Sequence, residues 1–107
     1  MIKGVEFEFG NGEKFIVPPL SLGSLDILEA EYGKMNEWEK KIDKKFVLDV
    51  VGLSLRRNYP DITDDKLKNE LLDVSNMNGA VNAVLDIGGL IRSTQEISMG
   101  EKKPAKK

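Results

Sequence analysis

Apolar and polar residues alternate along the first part of the chain, which is the period of a half-buried β-strand. Residues 5–9 (VEFEF) alternate strictly, and residues 13–17 (EKFIV) follow as a return strand. Between them, residues 10–12 (GNG) are of the types that accept the positive φ angles of a tight turn. The two prolines that follow cannot donate to a strand ladder and therefore end the second strand. The pattern predicts a β-hairpin over residues 2–17.

Beyond the hairpin, apolar residues recur three or four positions apart, which predicts helices. Four such segments follow one another, opened by capping residues or closed by glycine or proline. They run from Ser21 or Ser24 to Tyr32 with Gly33 as the stop, over about 43–58, after Thr63, and from Ser75 or Asn76 onward. The predicted buried residues are Leu22, Leu25, Ile27 and Leu28, then Phe46, Val47, Val50, Val51, Ser54 and Leu55, then Leu67, Leu71 and Leu72, then Met77, Val81, Val84, Leu85 and Ile91.

The predicted fold is an α+β arrangement, in which the N-terminal β-hairpin packs on a small bundle of about four α-helices. A lone hairpin is marginal in water, so its phenylalanines are expected to pack on the helices. Residues 1–97 are expected to form a single domain, with the hairpin at 2–17 and the helical part at 21–97. The lysine-rich residues 98–107 are expected to form a disordered, flexible tail. The charge-rich residues 34–45 are expected to be an exposed connection.

The composition of the 107 residues narrows the classes of function. Histidine and cysteine are absent, which removes the commonest general base, the commonest metal ligand and the best neutral-pH nucleophile. We therefore expect no enzyme, no cofactor and no metal site, and a reducing compartment. The net charge of -2 argues against nucleic acid as the main partner. No apolar run approaches the roughly 20 residues that span a bilayer, and the start lacks the apolar core of a secretory signal, so we expect a cytoplasmic protein without a membrane partner.

Trp38 and the end of the fourth helix provide the candidate protein-binding residues. Trp38 lies among charged residues, and tryptophan is enriched at interface hot spots. An indole folded back over the helices is an equally good interpretation. Gly88 and Gly89, followed by Leu90, either permit close approach of another backbone or mark a kink or a helix end. Packing within the monomer is the favoured interpretation of this pair, and an interaction surface is the alternative.

Two clusters of charged residues have simpler structural explanations than binding. Residues 61–65 (DITDD) lack the alternating spacing, central glycine and terminal glutamate of a calcium loop, and helix capping accounts for them. Arg56 and Arg57 could contact a phosphate, but no wider basic field surrounds them. Cations in the last turn of a helix complement its dipole, which is the favoured interpretation of this pair.

Three stretches of the chain carry a resemblance to a known family. They are the VEFEF strand with its GNG turn and the FIVPPLSL return at 15–22, the LRRNYPDIT tract at 55–63, and LDVSN at 72–76 before a helix rich in small residues that ends near 88–90. In this order they resemble the tail assembly chaperones of long-tailed bacteriophages and prophages. The resemblance covers roughly residues 3–95, and residues 58–63 are its most distinctive part.

The resemblance implies a transient partner in virion morphogenesis that works in the host cytoplasm. Such a protein binds the tape measure protein, keeps this long helical chain soluble, and helps to recruit the major tail protein. It supplies no catalytic residue. An amphipathic helical surface would cover apolar stripes of a client helix, with Trp38 and the last helix as candidate contacts. Self-association of the chain is left open.

A structural tail or head–tail connector protein, retained in the virion, is the main alternative. A connector should assemble into a stable ring by itself, and a chaperone should be absent from the finished particle. A regulatory or anti-host binding protein is a further alternative, and an enzyme is disfavoured by the composition.

Overall fold

The hairpin predicted at the start of the chain is present in a computed structural model, which describes the backbone of residues 1–87 and the side chains of residues 1–85. Strands β1 (Val5–Glu8) and β2 (Lys14–Val17) pair antiparallel, with Phe7 directly opposite Phe15. Gly12 has a φ of 88°, and its N–H donates to the carbonyl of Phe9 over 3.0 Å, closing the turn. The described elements are β1 Val5–Glu8, β2 Lys14–Val17, α1 Leu22–Tyr32, a 3-10 helix Met35–Lys41, α2 Lys44–Leu55, α3 Asp64–Lys66 continued by a π-helical turn Leu67–Leu71, and α4 Met77–Ile87.

This order confirms the α+β prediction, with the hairpin joined to several helices. The strands have no second sheet to pack on within the described residues, so the helices must cover the hairpin. Helix α2 contacts β2, and α4 contacts both β1 and α2. The predicted tail at 98–107 lies outside the described residues.

An aromatic row joins the hairpin to the turn after α2. Phe9 contacts Phe7 and Phe15 edge to face, with ring centroids 4.8 and 5.7 Å apart. Phe15 meets Tyr59 in the same way at 4.9 Å. The Tyr59 hydroxyl accepts a hydrogen bond from the Ile16 N–H over 2.9 Å. The expectation that the hairpin phenylalanines pack on the helical part is therefore confirmed.

Asn58 binds the backbone of the N-terminal segment. Its side-chain oxygen accepts from the Ile2 N–H over 2.6 Å, and its side-chain amide donates to the Ile2 carbonyl over 2.8 Å. The neighbouring Arg57 donates to the carbonyl of Pro19 over 2.6 Å. Since a backbone group left unpaired away from water costs about 1–3 kcal/mol, these side chains fix where the hairpin lies.

The two arginines after α2 lie at and beyond its C-cap and not within its last turn. Arg56 donates from its Nε to the carbonyl of Ile62 over 2.7 Å and pairs with Asp64 at 2.7 Å. Both arginines therefore bind other segments of the chain, and the predicted role of dipole compensation in the last turn is wrong.

Helix α1 begins as predicted but buries a narrower face. Ser21 caps it, since its hydroxyl accepts from the Ser24 N–H over 3.1 Å. Leu28 is buried, whereas Leu22 is 81% and Ile27 is 59% exposed. The prediction that these two belong to the buried stripe is wrong, because α1 is covered on one side only, chiefly by the 3-10 helix and α2. Gly33 ends the helix with a φ of 84°, as predicted.

The expectation of an exposed connection at 34–45 is confirmed for most of its residues but not for Trp38. Residues 35–41 form a 3-10 helix that folds Trp38 into the core, where it is 3% exposed. Its indole N–H donates to the carbonyl of Gly33 over 2.8 Å, and its ring lies 5.5 Å from that of Phe46. Of the two interpretations of Trp38, the structure shows the indole packed over the helices.

The remaining helices follow their sequence patterns. Asp43 caps α2, and the Thr63 hydroxyl caps α3 by accepting from the Lys66 N–H over 3.1 Å. The predicted buried residues of these elements that are indeed buried are Phe46, Val47, Val50, Val51, Ser54, Leu55, Leu67, Leu71, Val81, Val84 and Leu85. Leu25, Leu72 and Met77 are partly buried against the core, and Ile91 lies outside the described residues.

The burial of Trp38 generates a stability prediction. Trp38→Ala removes a core ring and should lower the free energy of unfolding by about 3–5 kcal/mol. Trp38→Phe keeps an aromatic ring and should cost less. Denaturant unfolding followed by circular dichroism measures both variants. A change below about 0.5 kcal/mol for the alanine variant, as for an exposed residue, would contradict the core position.

Candidate protein-binding groove

A groove of about 660 Å³ lies between α2, the α3 segment and the start of α4. One wall comes from the first half of α2 and the other from residues 64–72. The residues that line it are Lys44, Lys45, Val47, Leu48, Asp49, Asp64, Lys68, Asn69, Leu72, Asp73, Val74 and Met77. Its apolar members are aliphatic or thioether side chains, and its other members carry charge or an amide. We call this feature the α2–α3 groove.

The α2 wall is set by the cap of that helix. The Asp43 carboxylate accepts from the Phe46 N–H over 2.9 Å, which starts the helix at Lys44. Phe46 and Val50 then face the core and are fully buried. Leu48 lies on the other side of the helix and is only partly buried, so it contributes to the groove.

The opposite wall contains an irregular turn of helix. After α3 the backbone widens to a π-helical turn, and the Leu72 N–H donates to the carbonyl of Leu67 over 2.9 Å. Leu67 and Leu71 point into the core, while Lys68 is exposed and Leu72 is partly buried beside the groove. Single π turns occur frequently at functional sites.

A compact turn closes one end of the groove and presents an apolar residue to solvent. The Asp73 carboxylate accepts from the Ser75 hydroxyl over 2.6 Å and from the N–H groups of Ser75 and Asn76 over 2.9 and 3.0 Å. Because these bonds hold the turn, Val74 projects outward and is 89% exposed. Val74 is the most exposed large hydrophobic residue among the described side chains.

The hydrogen bonds within this turn change the acidity of Asp73. The donated bond from the Ser75 hydroxyl, followed by the backbone N–H bonds, stabilises the carboxylate and lowers the pKa of Asp73 below its ordinary value of 3.8. Partial burial acts in the opposite direction and is the smaller effect than the Ser75 bond. Asp73 is therefore ionised throughout the neutral range.

A second polar cluster borders the α2 wall. The Lys45 amine lies 3.1 Å from both the Glu31 and the Asp49 carboxylates and 3.2 Å from the Tyr32 hydroxyl. The Tyr32 hydroxyl donates to Asp49 over 2.6 Å. The hydrogen bond to Tyr32, followed by those to the two carboxylates, raises the pKa of Lys45. Burial, followed by the hydrogen bond to Asp49, raises the pKa of Tyr32. The cluster thus keeps a cation paired and a phenol neutral.

Of the candidate residues taken from the sequence, only Trp38 lies within the described part of the chain. Trp38 lies in the core and does not line the groove. Gly88, Gly89 and Leu90 lie outside the described residues. Sequence reasoning missed Val74. Its exposure could have been predicted, because it is an apolar residue between Asp73 and Ser75 in a turn-forming segment.

The structure gives no support to a metal site at residues 61–65. Thr63 is used as a helix cap, and Asp64 pairs with Arg56. Over residues 1–85, no group of three or more histidine, cysteine, aspartate or glutamate side chains is placed to hold a metal ion. Within the same part of the chain, no helix has the length and apolar character needed to cross a membrane.

Comparison with known proteins yields no relative for this chain: no family model matches it, and neither a curated protein nor a solved structure matches it.

The turn at the end of the groove generates a prediction about acidity. Ser75→Ala removes the strongest bond to the Asp73 carboxylate and should raise its pKa back toward 3.8. Because the pKa of Asp73 is lowered on folding, its contribution to stability is present above 3.8 and is lost as the pH falls through the lowered value. Carbon-13 NMR titration of the carboxyl group measures the shift. An unchanged pKa in the variant would contradict the proposed turn.

Proposed function

We propose that this chain is a bacteriophage tail assembly chaperone, which binds helical segments of the tape measure protein in the α2–α3 groove. It would keep that client soluble in the host cytoplasm and help to recruit the major tail protein around it. The chain would act by binding alone, without catalysis. The observation that carries the binding surface is an open groove lined by Val47, Leu48, Leu72, Val74 and Met77, and the client is the one implied by the resemblance of residues 3–95 to this family.

The chemistry of the groove suits an amphipathic helix. Its apolar side chains are Val47, Leu48, Leu72, Val74 and Met77, with charged residues along the walls. Helix-in-groove recognition places apolar side chains at positions i, i+3, i+4 and i+7 of the partner into such a surface. Methionine adapts its shape to different partners, which favours a client with many similar but unequal segments.

The volume of the groove would also suit a small molecule, since ligand pockets span about 300–1,000 Å³. Two features favour a protein segment instead. Pockets for small molecules enclose most of their ligand, whereas Val74, Lys44 and Lys68 here stand in solvent. The apolar side chains Leu48, Leu72, Val74 and Met77 line one groove together, and contiguous apolar surface is a feature that protein contacts cover.

A long client offers many weak sites to many chaperone copies. Each groove can bury only a short stretch of helix, so individual affinities are expected to be modest. Several copies along one tape measure chain would together cover its apolar stripes and lower its tendency to aggregate. This is why the proposal needs neither a deep pocket nor a permanent complex.

Affinity capture tests the proposal. The tagged chain is expressed with the neighbouring phage genes, and the recovered proteins and the finished tails are analysed by mass spectrometry. We expect recovery of a long tape-measure protein and absence of this chain from the finished tails. Presence of the chain in mature particles would contradict the chaperone function and favour the connector alternative.

A matched pair of variants tests whether the groove is the surface used. Val74→Asp places an unpaired carboxylate in the contact and should weaken capture of the tape measure protein at least roughly tenfold. Ile27→Asp makes the same change at an exposed aliphatic residue of α1 and should leave capture unchanged.

Both of these side chains are exposed, so the two variants should keep the wild-type thermal unfolding midpoint. Wild-type capture by Val74→Asp, or loss of capture by Ile27→Asp alone, would contradict the assignment of the groove.

A further inference from the structure

The acidic groups of the α2–α3 groove are already satisfied by the protein itself. Asp49 accepts from the Tyr32 hydroxyl and pairs with Lys45. Asp64 pairs with Arg56 at 2.7 Å. These carboxylates therefore have their counterions within the chain and gain little from a cation on a partner.

Asp73, the third acidic group, is turned toward its own loop. It accepts one hydroxyl and two backbone N–H bonds from the two residues that follow Val74. A partner cation would have to compete with three existing hydrogen bonds. The acidic groups of the groove therefore already have hydrogen-bond or ion-pair partners within the chain.

Two lysines that line the groove differ from these carboxylates in their pairing. Lys44 on the α2 wall and Lys68 on the facing wall are both exposed. Over residues 1–85, neither makes an ion pair or a side-chain hydrogen bond, whereas Lys45 has three acceptors. Each wall of the groove therefore carries one lysine that has no ion-pair partner among residues 1–85.

We propose that the groove selects an amphipathic helix whose apolar stripe is flanked on both sides by carboxylates. Lys44 and Lys68 would form ion pairs with these carboxylates. This inference rests on the proposed function and specifies the chemistry of the client segment. Apolar contact with Leu48, Leu72 and Val74 supplies most of the binding, and the two lysines supply selection among apolar helices.

The lysine-rich end of the chain is a poor occupant of the groove. Residues 88–107 carry five basic and two acidic side chains, a net charge of +3. Lys44 and Lys68 would repel such a segment.

Helix α1 of a second copy has the acidic charge that Lys44 and Lys68 would attract, because it has three acidic residues and no basic one. Its exposed Leu22 and Ile27, however, are five positions apart and do not form the i, i+3 or i+4 stripe that a groove requires.

Synthetic helical peptides provide the test. Two peptides share one leucine stripe and differ in their flanking residues, which are glutamates in one and lysines in the other. The wild-type protein should bind the glutamate peptide roughly two- to tenfold more tightly at low salt, with the difference shrinking as salt is added. The double variant Lys44→Glu, Lys68→Glu should reverse the preference.

A control separates local from overall charge. Lys3→Glu with Lys34→Glu makes the same change in net charge at exposed lysines that do not line the groove, and it should keep the wild-type preference. Reversal of the preference by this control would overturn the role of Lys44 and Lys68.

The remaining outcomes separate the two proposals. Equal binding of both peptides, with both lost in Val74→Asp, would overturn charge selection and leave groove binding standing. Failure of both peptides to bind would overturn charge selection as well as the assignment of the groove. Concentration-dependent dimerisation of the protein alone that is abolished by Val74→Asp would identify a second copy as the occupant and overturn the inference.

Discussion

The docking of the hairpin by the residues that follow α2 is the interaction on which the rest of the structure depends. A two-stranded sheet is marginally stable at best in water, and each of its edges exposes unpaired backbone groups. Tyr59 satisfies the Ile16 N–H on the free side of β2, and Asn58 pairs with the backbone of Ile2. The buried Ser54 adds a bond from its hydroxyl to the carbonyl of Pro18. Helix α2 is thereby tied to the hairpin from its last turn onward, which explains why a chain with so few strand residues can build a core.

That attachment also determines where a binding surface can exist. The C-terminal half of α2 is occupied by the hairpin and by the side chains that dock it, and its buried face is shared with α4. In the N-terminal half, from Lys44 to Asp49, Phe46 and Val47 are buried, but the face that carries Lys44 and Leu48 borders the groove, and the π-helical turn at 67–71 lies across from it. Asp73 holds the connecting turn so that Val74 remains at the surface. The candidate function thus uses the outer face of the first half of α2, whose inner face belongs to the core.

Much of the fold was predictable because it rests on local chemistry. The alternation in residues 5–9, the caps at Ser21 and Thr63 and the stop at Gly33 each act within a few residues, and all are present. The errors concern burial, which depends on distant contacts. The charged neighbours of Trp38 gave no sign of its burial, because its cover comes from the ring of Phe46 in the next helix and from the carbonyl of Gly33 at the end of the preceding one. The groove could not be predicted from the sequence, since it exists only once α2 and α3 lie side by side. The turn-forming residues around Val74 indicated only that this residue is exposed.

Backbone NMR shifts during binding test the central claim, that the α2–α3 groove is the surface that takes a client helix. The nitrogen-15 labelled protein is titrated with an amphipathic helical fragment of the tape measure protein. The account predicts that the largest shift changes fall within residues 44–49 and 68–77, with little change in α1 or the hairpin. Changes concentrated in α1, around the exposed Leu22 and Ile27, or in the hairpin would contradict it and place the binding surface outside the groove.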